Sequence, residues 1–109
     1  MSMMSTSRAP QGPTPPGPRQ NESLSAWFDR AFKANRENPT VANRIDLSAA
    51  YYASETQPSD RRRLDVRDAC TLAALEIRRI DGEMLSAQEL ELKRGLEARA
   101  TRPAFKPSH

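Results

Sequence analysis

A chain of 109 residues with a formal charge of +3 and 37% hydrophobic residues has room for one domain, and it falls in the range of globular chains rather than fully disordered ones. No apolar run approaches the roughly 20 residues that cross a bilayer, and Met1 to Gln20 lack the apolar stretch of a secretory signal, so a soluble cytoplasmic protein is expected. Residues 23–98 carry 12 Lys/Arg against 13 Asp/Glu, a net of −1, while Arg8, Arg19, Arg99, Arg102 and Lys106 place the basic excess in the tails, which argues against a nucleic-acid-coating core.

Residues 10–18, PQGPTPPGP, hold five prolines and two glycines, which neither continue a helix nor supply a regular ladder of hydrogen bonds. Residues 1–22 therefore read as a disordered Pro/Gly-rich leader. Pro10 and Pro13 have the spacing of a polyproline ligand, but so short a match is common by chance and a plain solvated tail is the preferred reading. A first helix is expected to start near Asn21 to Ser23 and run to about Arg36. Leu24, Trp27, Phe28, Ala31 and Phe32 then gather into a stripe about 140° wide, which suits the aromatic anchors of a small core.

Asn38-Pro39 interrupts that pattern, and Thr40 is placed to cap a second helix reaching about Ser54. Val41, Ile45, Ala49 and Tyr52 share one of its faces; Leu47 and Tyr51 lie nearly opposite. Gln57-Pro58 makes the next break, with Ser59 or Asp60 expected to cap a third helix reaching about Asp81. Val66, Ala69, Cys70, Ala73, Ile77 and Ile80 fill one broad face of it, and Leu64, Leu72 and Leu75 fall on the other side. A helix apolar on two sides must be covered on two sides. In this register Arg61, Arg62 and Arg63 occupy the first turn, against the macrodipole, so an anionic partner or local pairing with Glu55, Asp60 or Asp65 is needed to offset them.

Asp81-Gly82 reads as a stop, and Ser86 with Glu89 forms a capping box, flanked by Leu85 and Leu90 as a hydrophobic staple. A fourth helix follows from about Ala87 to Ala100, with Leu92 and Leu96 as its main apolar pair, before Pro103 and a flexible tail over residues 101–109. The whole is an all-α bundle of three to four helices, with residues 23–100 as the interaction domain.

Catalytic equipment is scarce. The one histidine is His109, the last residue; Cys70 sits at the edge of an apolar stripe, as inert core thiols do. Gly12, Gly17, Gly82 and Gly95 make no phosphate-loop spacing, and Asp65, Asp68, Glu76 and Glu83 alternate with arginines as on a solvated helix face. No catalytic residue, metal ligand or cofactor site is expected, and the chain reads as a binding protein rather than an enzyme.

The strings SAWFDRAFKANRENPT (Ser25 to Thr40) and RRRLDVRDACTLAALEIRRIDGE (Arg61 to Glu83) resemble the quorum-sensing anti-activators of pseudomonads. That resemblance implies a small helical protein that binds the ligand-binding domain of a LuxR-type transcription activator, LasR or one like it, and keeps the activator from dimerising on DNA. Helical geometry, not the resemblance, supplies the expected partner-binding residues. These are Leu64, Leu72 and Leu75, with Leu47 and Tyr51 nearby and Arg62 or Arg63 steering the approach. A homodimer is expected as well. The alternatives are a small nucleic-acid-associated accessory protein, with Arg61 to Arg63 and the basic tail on phosphates, and a structural assembly subunit.

Overall fold

Each helix starts at a side chain able to accept one of the amides that an α-helix leaves unpaired at its N-terminus. Ser23 accepts the Ala26 N–H at 3.0 Å and opens α1 (Leu24–Glu37); Thr40 accepts the Asn43 N–H at 3.1 Å and opens α2 (Val41–Ala53). Asp65 accepts the Asp68 N–H at 2.8 Å ahead of α3 (Val66–Ile80). The capping box expected before α4 (Ala87–Ala100) is complete: Ser86 accepts the Glu89 amide at 3.1 Å while Glu89 Oε1 accepts the Ser86 amide at 2.9 Å. The computed structural model describes residues 15–102, and among these the chain is all-helical, with no named strand. None of these helices is long and apolar enough to cross a membrane.

Turn chemistry follows the breaks seen in the sequence. The Asn43 side-chain amide donates to Asn38 O at 2.7 Å and closes the tight α1–α2 corner. Gly82, at φ +91, takes the left-handed position after α3 that residues with a Cβ avoid.

Two expected boundaries move. α3 starts at Val66, capped by Asp65, not after Ser59 or Asp60. Residues 61–64 are instead an extended strap whose amides are used by other elements: Arg62 N–H donates to Ala100 O at 2.9 Å and Leu64 N–H to Tyr52 O at 2.9 Å, while Arg102 N–H donates to Asp60 O at 3.0 Å. Arg61 and Thr101 pair as an isolated antiparallel bridge. The three arginines thus precede the helix and do not oppose its dipole. Asp65 and Asp68 at its start, with Arg78 and Arg79 in its last turn, are placed with the dipole.

The second move concerns the leader. Gly17 N–H donates to Asp46 Oδ1 at 2.9 Å, Arg30 Nη2 donates to Gly17 O at 3.2 Å, and Cys70 Sγ lies 3.6 Å from Pro16 O. Residues 15–22 therefore belong to the fold, as do Thr101 and Arg102 at the other end. The Pro10/Pro13 spacing, Lys106 and His109 lie outside the described residues.

The core is built largely from alanine. Trp27 and Ala31 of α1, Ala49, Ala50 and Ala53 of α2, Leu64 of the strap, Ala69, Leu72 and Ala73 of α3, and Leu96 and Ala100 of α4 form one buried cluster. Small side chains let helix backbones approach closely, and α2 and α3 make the most extensive pairing, followed by α1 on α2 and, more lightly, α4 on α3. Trp27 supplies the bulk that alanines lack. It is fully buried, and its indole N–H donates to Asp46 Oδ1 at 2.8 Å, as a buried indole requires. Phe32 and Ile80, which the helical spacing puts on core-facing stripes, are exposed. Phe32 stacks on Phe28 with the Arg36 guanidinium over its ring.

Candidate interaction surface

The expected docking leucines are interior residues. Leu72 is 0%, Leu64 4% and Leu75 5% exposed, and the first two sit in the main core cluster. The premise that α3 needs cover on two sides holds, but the domain's own elements supply that cover. Leu47 is half-buried and packs on the same cluster. The proposed leucine patch on the surface is therefore corrected: none of Leu64, Leu72 or Leu75 can meet a partner without opening the fold.

Three of the expected residues do reach solvent, and they lie at one end of the bundle. Tyr51, 39% exposed, packs edge-on against Tyr52, with ring centroids 5.5 Å apart. Its carbonyl accepts from Gln57 Nε2, and Gln57 shares a shallow groove with Arg61, Arg62 and Arg63. Arg62 and Arg63 are exposed. Tyr52 turns inward, its hydroxyl donating to Glu76 Oε2 at 2.7 Å; burial and that carboxylate push the phenol's pKa well up.

Sequence reasoning passed over the outer face of α4. Leu92 is 49% exposed, above an open groove of about 380 Å³ lined by Gln88, Glu91, Leu92, Gly95, Leu96 and Arg99. These residues recur at three and four steps and make one continuous stripe. Among the described residues, a Cβ built on Gly95 meets no atom within 4 Å, so none of them requires glycine there. In the middle of a helix, glycine costs about 0.5–1 kcal/mol relative to alanine. The available signal was that cost: a glycine inside a well-capped helix with no turn to make.

Charge fixes the ends of α4 without closing this groove. At its start Arg78 forks onto Glu89, at 2.9 and 3.3 Å, and also reaches Glu83 at 2.7 Å. Arg78 and the Ser86 amide hold the Glu89 carboxyl down to about 2. Near its end Arg99 pairs with Asp68 of α3. On the opposite side of the molecule Arg30 forks onto Glu22 at 2.7 and 2.8 Å and lies 3.5 Å from Asp46, holding Glu22 down to about 2. Burial, with Asp46 nearby, pushes the Cys70 thiol up to about 11, which disfavours the reactive thiolate. Among the described residues no three His, Cys, Asp or Glu side chains gather as metal ligands would.

No family model, curated protein or solved structure matches the chain.

Proposed function

We propose that this chain is a protein-binding anti-activator, not an enzyme, that acts in the cytoplasm. It sequesters a LuxR-type quorum-sensing transcription factor by holding its ligand-binding domain, so that the activator neither dimerises nor engages DNA. The partner's identity comes from the resemblance of Ser25 to Thr40 and Arg61 to Glu83 to QslA, an anti-activator of LasR. The binding mode comes from the geometry. Gly95, mid-helix and under an exposed Leu92, carries the reading: it removes a side chain where none of the described residues needs the space, as a surface kept for a partner would. Such a groove accepts a helix or an apolar ridge from a partner. Arg99 lines this groove, and the exposed Arg62, Arg63 and Tyr51 are the second part of the proposed docking surface. A homodimer in the free state is part of this reading.

Filling the groove tests it. Among the described residues the Cβ of Gly95→Leu meets no atom, so this variant should not lower helicity or thermal midpoint, while lowering affinity for the activator's ligand-binding domain about tenfold or more. Unchanged affinity, measured by calorimetry, would remove α4 from the docking surface. Light scattering of the same variant reports whether the free protein uses this face to pair with itself. Tight and steeply salt-dependent DNA binding by the free protein would favour the nucleic-acid accessory reading instead.

A further inference from the structure

The strap and the end of α4 bring together arginines that are far apart in sequence. Arg61, Arg62, Arg63 and Arg102 line a groove of about 350 Å³ together with Glu55 and Gln57. The assembly is specified by the backbone, through the Arg61–Thr101 bridge and the bonds from Arg62 N–H to Ala100 O and Arg102 N–H to Asp60 O. Among the described residues, none of the four guanidinium groups is paired with a carboxylate, whereas Arg30, Arg44, Arg78, Arg94 and Arg99 all are. Among the described residues, the one side-chain hydrogen bond made by these four arginines runs from Arg63 Nε to Ala53 O at 3.4 Å. Four arginines line this shallow groove against one carboxylate, Glu55, which leaves an excess of positive charge that an added anion would offset.

We propose that this groove is a binding site for a compact polyphosphate, the chemistry shared by inorganic pyrophosphate or tripolyphosphate and by the phosphate chain of a nucleotide. Arginine forks suit phosphate oxygens, to which they donate two parallel hydrogen bonds. The size of the site selects a small, densely charged ligand. Tight binding to a duplex takes phosphate contacts spread over a long surface, about six to ten in strong cases, and the net charge of −1 over residues 23–98 does not favour such a surface. The proposal concerns the free protein and does not depend on the identity of its protein partner.

Calorimetric titration of the full chain with pyrophosphate, tripolyphosphate, ATP, sulfate and a short DNA duplex at constant ionic strength tests it. Tripolyphosphate should saturate one site and bind about tenfold or more tightly than sulfate. Equal affinity for ATP and tripolyphosphate would make the phosphate chain the whole determinant; tighter ATP would make the ligand a nucleotide, and either supports the site. The Arg62→Ala/Arg102→Ala double variant should lose about tenfold or more in affinity, and Arg62→Lys/Arg102→Lys, which keeps the charge without the fork, should fall between. Arginine side-chain NMR signals of the unaltered protein give a readout that needs no variant: those of Arg61, Arg62, Arg63 and Arg102 should move together on titration. No saturable binding, shifts confined to other arginines, or a duplex that outcompetes tripolyphosphate would overturn the proposal.

Discussion

Helices α3 and α4 both carry leucines, yet they use them in opposite ways. Ala69, Leu72, Ala73, Leu75 and Ile77 of α3 are all buried, and its two apolar sides are both covered from within the chain. α4 buries only Leu96 and Ala100 and leaves Leu92 over an open groove. Apolar residues all round a helix mark the middle of a small fold. A one-sided helix with an unexplained glycine is the better sign of a surface meant for something else. The first pattern follows from how much area a short chain must bury, the second from what it leaves unburied.

Replacement of the two leucines gives the largest contrast. Leu72→Ala should cost about 2–5 kcal/mol in chemical denaturation, since it empties a fully enclosed site, while Leu92→Ala should cost well under half of that. Comparable losses at both positions would erase the distinction between the closed helix and the open one. Asp46→Ala comes next. It leaves the Trp27 indole and the Gly17 amide without their acceptor, so a loss of about 1–3 kcal/mol is expected, with a shift in tryptophan fluorescence. Glu91→Ala, which removes only the exposed pair with Arg94 on α4, should be close to neutral.

Acid probes the two sides of the molecule separately. Glu22 and Glu89 are both held down from an ordinary value of 4.5 to about 2 by Arg30 and Arg78. A carboxyl with a depressed folded-state pKa contributes stability that is complete above its unfolded value and is lost as pH falls toward the folded value. The thermal midpoint should therefore drop between pH 4.5 and about 2, and Glu22→Gln and Glu89→Gln should each flatten part of that slope. A drop confined to higher pH would point to other carboxylates. One effect has the opposite sign: Gly95→Ala should raise stability by about 0.5–1 kcal/mol, because none of the described residues needs glycine at this position. A loss instead would show that this chain itself needs the glycine.

Helix number, caps and breaks were legible because they depend on local chemistry: Ser23, Thr40 and the Ser86/Glu89 box each act within one turn. The start of α3 was not, because Ser59, Asp60 and Asp65 are all competent caps and the choice is made by partners distant in sequence. The strap's amides go to Tyr52 and Ala100, which keeps residues 61–64 extended and leaves Asp65 to open the helix. The same limit hid the seating of Gly17 on Asp46 and the addition of Arg102 to the arginine cluster. In the candidate site, periodicity placed Leu64, Leu72 and Leu75 on one side of α3 but could not say which side a neighbour would cover. Tyr51, Arg62 and Arg63 remain on the surface, and the groove under Leu92 is a separate exposed feature that the periodicity did not single out.

The clip between Asp60–Arg62 and Ala100–Arg102 has a kinetic consequence. It closes a ring that contains all of α3 and α4, and because closing a ring of that length costs entropy before the contact returns anything, the clip is expected to form late in folding. The pairing of α1, α2 and α3 is more local and more extensive, so it should condense first, with α4 latching onto it last. Native-state hydrogen exchange would then show α4 and the strap opening together as one unit, ahead of the rest of the domain.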